Sequence, residues 1–424
     1  MKIMQTYVSM AVVMLLSSAA LASGGRGASN VRDFGAVGDG VADDTAAVQR
    51  AIDAGGVVHF PPGVYLVSPI YLRSDGGLDL DDAATLRMHP DRSRWDVRPE
   101  CGKYKSNNAH LVNCVSATNV SIRGGTIDGD WRSFYKRVYF YQCGGRRFLT
   151  PRIRKGDPAQ MVWFFESANV AIENVRFVRS PFWALWLHGC EDVRIDGVVV
   201  EGADEILNTD GIDIDCCRHV RVSRCRIRTG DDAIAVRGAL VGLTAPKACE
   251  DIVVEDCELA SGYAHAVRIG VGGGEIGHVR FANIRMDYTR GGICIHSKFC
   301  KDAGVTIHDV TFDGVEMDAV CGVNVRHDFF LVPKDEPFRG TMRDIRFRNV
   351  KGTSILPNSV VGNGVATLSN VSFENCDIAV NTPRGVPVEE RREFSLSPAD
   401  SGAWIVRNAE VSGIAGKEKV ADSP

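Results

Sequence analysis

The strongest constraint on this chain is a returning phrase of alternating apolar residues, X-V/I-x-I/V/F-x-x-V/C/I. It reads NVSIRGGTI from 119, NVAIENVRF from 169, DVRIDGVVV from 192, HVRVSRCRI from 219, DIVVEDCEL from 251 and HVRFANIRM from 278. It continues as GVTIHDVTF from 304, DIRFRNVKG from 344 and NVSFENCDI from 370. Between 169 and 304 the start-to-start steps are 23, 27, 32, 27 and 26 residues. Period-two alternation reads as strand, and each step holds two or three short strands with no helical pattern between them. Such a unit cannot bury its apolar face alone, but stacking on its neighbours buries it. The expected fold is therefore all-β: a single-stranded right-handed parallel β-helix, a solenoid rising about 4.8 Å per coil through ladder hydrogen bonds. A propeller would need longer, hairpin-rich units.

The flanks fit one solenoid. Asn30 to Gly40 leads through Asp43, Asp44 and Thr45 into AAVQRAIDA. This stretch predicts a short N-terminal helix over 44–54, capped by Asp or Thr, with Val48, Ala51 and Ile52 closing the open end of the core. The solenoid is expected over 30–385, with 386–424 as a polar tail packed on the last turns. Trp131 to Gln160 breaks the period, is basic and aromatic, and is expected as a long loop beside the cleft.

Residues 1–22 read as a signal peptide, with Lys2, an apolar stretch from Val8 to Leu21, and Ala20 and Ala22 at the cleavage site. The stretch is too short to span a membrane, so the protein is expected to be exported and, with no run suggesting a partner, monomeric. A net charge of −4 with scattered basic residues disfavours nucleic acid. The chain has 13 cysteines, an odd number. Cys225, Cys257, Cys294 and Cys376 lie inside strand patterns, where a buried thiol packs as a small hydrophobe. None has zinc-site spacing, so neither a metal nor another cofactor is expected.

Chemistry concentrates in residues 208–237. Asn208-Thr209-Asp210-Gly211 and Gly230-Asp231-Asp232 each precede a short alternating apolar run. Aspartates at bends are common as solvated turn residues. Here, however, they fall at matching places in consecutive units, and His265 falls similarly in the next. Equivalent bends lie about one rung, roughly 5 Å, apart, which aligns Asp210, Asp231, Asp232 and His265 along one flank. Asp210 shares the parity of Ile212 and Ile214, so a bend at Gly211 must turn it out of the core. Clustered carboxylates cannot all ionise cheaply, and one protonated acid beside ionised partners is what glycosidic hydrolysis requires. A hydrated Ca²⁺ site is the chemical rival.

These motifs resemble glycoside hydrolase family 28, the polygalacturonases and their relatives. The N-T-D-G-x-D motif stands at Asn208 to Asp213, the G/Q-D-D motif at Gly230 to Asp232, and the G-H-G histidine at His265 between Ala264 and Ala266. NVRDFGAVGDGVADDTAAVQRAID, Pro61-Pro62-Gly63-Val64-Tyr65, and Ser180-Pro181-Phe182-Trp183 with His188 add to a likeness spanning about 30–385. The resemblance implies Asp231 as general acid, Asp210 and Asp232 holding the attacking water with inversion, and His265 tuning the acid. It implies Asp213 on a sugar hydroxyl, Asn208 at the site, and the R-I-K triplet near His296-Ser297-Lys298, where Lys298 would bind a uronate carboxylate as a point charge. His296 would contact sugar. Arg237 and Arg268 are candidates to replace the missing arginine, although an arginine on a strand is more often solvated. Trp183 and Trp186 are expected in packing, and His188 is a candidate for the cleft. The implied substrate is pectic polysaccharide, cut at galacturonate linkages, with exo action as one mode. The alternatives are a rhamnogalacturonan or other uronate-glycan hydrolase, a Ca²⁺-dependent lyase-like β-helix, and a non-catalytic glycan-binding β-helix.

Overall fold

The computed structural model describes residues 28–95, 110–134, 139–143, 146–150, 160–204, 206–298, 304–327, 340–381, 391, 394–397 and 400–414. The expected signal segment lies outside them. The described strands, apart from one hairpin, join a single parallel sheet system wound as a right-handed β-helix. A representative coil runs Leu185–His188, Glu191–Asp196, Val199–Glu201. The next runs Ile212–Asp215, Arg218–Ser223, Arg226–Thr229, and each strand pairs in parallel with its predecessor. We call the sheet containing Leu185–His188 and Ile212–Asp215 the groove sheet.

The repeated phrase encodes corners as well as strands. Its first residue takes a left-handed conformation in coil after coil: Asn169, Asp192, His219, Asp251, His278, Asp344 and Asn370 have φ between 52° and 58°. A second left-handed corner follows the strand at Asn174, Gly197, Arg224, Asp256, Asn283, Asn349 and Asn375. Asn, Asp, His and Gly tolerate this region best, which is why the phrase begins with polar residues. Corner side chains also bond along the axis: Asn169 Nδ2 donates to Asn119 Oδ1 at 2.7 Å and Asn375 Nδ2 to Asn349 Oδ1 at 2.6 Å.

The register corrects one repeat. Val279 pairs with Val310 and Phe281 with Phe312, so the unit after HVRFANIRM begins at Asp309 rather than at 304. Two overlapping apolar alternations occur there, each behind a left-handed residue, Gly304 at φ 73° and Asp309 at φ 49°, and the ladder pairing selects the later one. Inward side chains stack rung on rung. Leu185, Ile212, Ile234, Val267, Ile293 and Val323 form one ladder, fully buried. Phe281, Phe312, Phe347 and Phe373 form another, with successive centroids 4.9, 5.4 and 4.7 Å apart.

The capping helix covers Thr45–Asp53 and buries Ala47, Val48, Ala51 and Ile52. Asp44 does not cap it through its side chain; its carboxylate accepts from the Val37 and Gly38 amides at 2.7 and 3.0 Å instead. The segment after 130, expected as loop, contains a short helix, Trp131–Phe134, and an antiparallel pair, Tyr139–Cys143 with Arg146–Thr150. The tail extends the solenoid: Trp404–Arg407 pairs with Asn358–Val361, and Val411–Ser412 with Val371–Ser372. Ten described cysteines are free thiols, all buried except the half-buried Cys376. Among the described residues no helix is long and apolar enough to cross a membrane.

Candidate active site

Two acidic bends meet because their backbones are tied together. Thr209 Oγ1 donates to the Ile206 carbonyl at 2.7 Å and accepts from the Gly230 amide at 3.1 Å. A side chain at Gly230 would lie 2.0 Å from the Ile206 carbonyl oxygen, and one at Gly211 would lie 2.5 Å from that of Ala233. Both glycines are thus required by close approach, one in each motif. Backbone bonds then step along the axis: Ala184 N–H to Asp210 O, Gly211 N–H to Asp232 O, and Ala233 N–H to His265 O, each at 2.9 Å. Asp210, Asp232 and His265 therefore occupy one column on successive coils, and Asp231 stands beside it.

The bend at Gly211 breaks the strand parity as required. One oxygen from each of Asp210, Asp231 and Asp232 lies within 4.8 Å of the others. Asp210 and Asp232 are 4% and 8% exposed, whereas Asp231 is half-buried. Asp231 accepts from the Asn208 amide at 2.9 Å and from the Asp232 amide at 3.0 Å. Asn208 thus serves the cluster through its backbone, in a left-handed conformation with φ 61°. Asp232 Oδ1 faces His265 Nδ1 at 3.0 Å and accepts the His265 amide at 3.2 Å.

Electrostatics distributes the protons. Burial, then the neighbouring Asp213, Asp231 and Asp232 carboxylates, push Asp210 well above the usual carboxylate range. His265 goes the other way: burial opposes its charge, but the Cys294 sulfur and the Asp232 carboxylate outweigh it and push its pKa up to about 9. The imidazolium beside Asp232 favours an ionised carboxylate there.

Several expected site residues stand elsewhere. Asp213 faces outward on its strand but is fully covered, with Arg237 Nη1 donating to its Oδ1 at 2.8 Å. Burial pushes Asp213 up to about 7 although Arg237, which holds its carboxylate, pulls it down. Arg237 is not solvated either: its guanidinium lies 4.5 Å over the Trp183 ring. His188 is fully buried, stacked 5.0 Å from Trp186, with Nε2 placed 3.1 Å from the Ala239 carbonyl. It is thereby removed from the cleft. Trp186 packs with Trp163 and Phe165 in an apolar cluster on the outer face of the groove sheet, as packing and not platform.

Arg268 is 2% exposed and donates to Cys294 Sγ at 3.2 Å. It is therefore not the solvated strand arginine expected from sequence. Ile293 and Ile295 point inward, so Cys294 and His296 point outward. Cys294 and His296 thus flank the inward Ile295 on the outer face, just before the His296-Ser297-Lys298 stretch singled out in the sequence. A thiol and an imidazole stand there, with the Arg268 guanidinium one coil earlier. His296 is fully buried and burial holds it well below the usual histidine value, so it contacts neighbours rather than sugar. The Lys298 backbone ends its strand opposite Val271, and its side chain lies outside the described residues.

Sequence reasoning missed Cys294, placed with inert core thiols. Burial opposes ionisation, yet the Arg268 charge and His265 pull its pKa below the ordinary thiol value. Its parity with Ile293 and Ile295 was the available signal. It also missed Arg290, whose guanidinium lies 4.8 Å over Tyr263 and 5.4 Å over Phe394.

Comparison with known proteins follows the same lines. Residues 100–385 match the family described as Glycosyl hydrolases family 28. The chain belongs to glycoside hydrolase family 28. Residues 28–75 also match a family described as Rhamnogalacturonase A/epimerase, pectate lyase-like. A probable polygalacturonase of Vitis vinifera is 28% identical over 56% of this chain and 50% of its own length. A polygalacturonase of Juniperus ashei is 25% identical over 77% and 62%, and an endo-polygalacturonase of Pectobacterium parmentieri 26% over 76% and 80%. This family 28 chain thus spans about half to two thirds of the first two relatives. Solved structures share the fold. A family 28 exopolygalacturonase of Yersinia enterocolitica superposes with TM-score 0.61 at 17% identity, over 93% of this chain and 78% of that one. A polygalacturonase of Erwinia carotovora gives 0.59 at 19%, over 89% and 96%.

Proposed function

We propose that this protein is an exported pectin-degrading hydrolase that cleaves galacturonate linkages with inversion. The supporting observation is the convergence of Asp210, Asp231 and Asp232 within 4.8 Å, on coils that also bring His265 to Asp232. Family membership and the polygalacturonase relatives support the substrate class. Asp231, the most exposed of the three, is the donor to the leaving oxygen. The carboxyls share protons as a group rather than each holding its own, and Asp231 passes one of them to the leaving oxygen. Asp210 and Asp232 hold and activate water, taking the proton it loses as it attacks. His265 pairs with Asp232 through its Nδ1 and backbone amide and so holds that carboxylate in place as the water base.

Inversion rests on the pair of water-holding carboxylates and on the family resemblance, not on separation. Closest oxygens within 4.8 Å are tighter than the separation of about 6.5–9.5 Å usual between inverting carboxyl groups. Arg268, with Arg290 on the next coil, supplies positive charge for uronate carboxylates on the side beyond His265. The altered triplet keeps a rhamnogalacturonan or related uronate glycan as the rival substrate. Incubating the protein with polygalacturonate and with rhamnogalacturonan, and following products by mass, tests the assignment. Saturated galacturonate products from the first polymer alone are expected; unsaturated products would indicate a lyase, and unchanged polymer a binding protein.

A further inference from the structure

The C-terminal segment does more than finish the solenoid. Phe394 and Leu396, 2% and 5% exposed, pack with Cys321, Leu356, Val361 and Ile405 into an apolar cluster separate from the main core. Ile405 pairs with Ser359, and Ser359 in turn with Asn324, whose Nδ2 donates to the Phe394 carbonyl at 3.1 Å. Asn324 pairs with Cys294, so this column is the outward one that continues from Arg268. The segment therefore lies across the outer face of the groove sheet, on the coils just past the acids.

It also reaches back to them. The Phe394 ring stands edge-on to His265 with centroids 6.1 Å apart, and carries the Arg290 guanidinium at 5.4 Å. The segment is braced: the Ser397 amide donates to Asp400 Oδ2 at 2.8 Å, and Arg407 pairs with the other oxygen of Asp400. On the opposite side of the acids, Phe182 and Trp183 stack at 5.5 Å and remain half-exposed. Among the described residues, the Phe394 segment thus stands over the groove sheet beyond His265, while the other side carries these half-exposed rings.

We propose that the Phe394 segment is an end wall that makes the enzyme shorten glycan chains from one terminus. A uronate polymer laid along the axis meets the aromatic wall about one rung past His265, so a sugar chain cannot continue in that direction. Arg290, held between Tyr263 and Phe394, then sits where the carboxylate of the terminal residue arrives. This proposal rests on the hydrolase reading above and specifies its cutting mode.

The test is the product pattern on polygalacturonate, with viscosity followed against reducing ends, for the full-length wild type and for Phe394→Ala and Phe394→Leu. The wild type should release one short product from the earliest times while viscosity falls slowly. Phe394→Ala should release mixed oligomers, with a severalfold larger viscosity drop per bond cleaved. Phe394→Leu, which keeps the apolar packing, should fall between the two. Internal cutting by the wild type would overturn the wall and leave the hydrolase reading standing, as would a folded Phe394→Ala protein with an unchanged pattern. No cleavage by the wild type would overturn the hydrolase reading, and the wall with it. If Phe394→Ala fails to fold, the wild-type and Phe394→Leu patterns decide.

Discussion

The groove sheet carries different side chains on either side of the acids, although its backbone ladder is the same. Towards the N-terminus its outward column reads Trp163 then Trp186, a buried aromatic stack with centroids 5.8 Å apart. Towards the C-terminus the same column reads Arg268, Cys294 and Asn324, polar and charged. The inward column is aliphatic throughout. The inner face is thus fixed by the need to fill a core, while the outer face is free to vary from packing to chemistry. The column of Asp210, Asp232 and His265, proposed as catalytic, begins where the outer face changes character.

The contrast predicts separable effects. Asp231→Asn and Asp232→Asn should each cost kcat about 10²–10⁴-fold while leaving the thermal midpoint near that of the wild type. A large loss of stability instead would place these residues in the framework. Trp186→Ala, on the aromatic side, should destabilise the fold by about 3–5 kcal/mol, as measured by denaturant unfolding, and change KM little in whatever remains folded. Arg268→Ala, on the polar side, should raise KM for polygalacturonate about ten- to a hundredfold, the loss of one charged interaction of about 1.5–3 kcal/mol. Equal effects of the two substitutions on KM would erase the distinction.

Smaller effects sharpen it further. A side chain at Gly291 would meet His265 Cδ2 at 2.4 Å, so Gly291→Ala should shift the imidazole and lower kcat, with the pH profile altered as well. His265 has a folded pKa of about 9, above its ordinary value near 6.5. Its pairing with Asp232 therefore stabilises the fold fully below the ordinary value and loses that contribution as pH rises through 9. Activity should decline on the same alkaline limb, and His265→Gln should remove that limb. Chelation should have the least effect: the trio could bridge a divalent cation, but a hydrolase using protonated and ionised carboxylates should keep its rate in excess chelator.

Much of this was legible in the chain. Strands, coils and the stacked acids follow from the repeat, because inward alternation and left-handed polar corners are sequence-local. The burial of Asp213, His188 and His296 was not legible, because all three face outward and their cover is supplied by residues distant in sequence. Arg237 over Trp183 and Arg268 against Cys294 illustrate the same limit: an outward position does not say what lies above it. The 304 repeat failed for a local reason, two overlapping apolar alternations of which the register uses one. Phe394 could not have been found, since nothing in a polar tail marks the residue that returns to a histidine far upstream.

The central claim is that three carboxylates from adjacent coils act together on one glycosidic bond. The most direct test follows, by proton NMR during the first turnovers on a galacturonate oligomer, the anomeric configuration of the newly formed reducing end. The account predicts a product inverted relative to the bond cleaved, equilibrating only later. A product that first appears with retained configuration would contradict it.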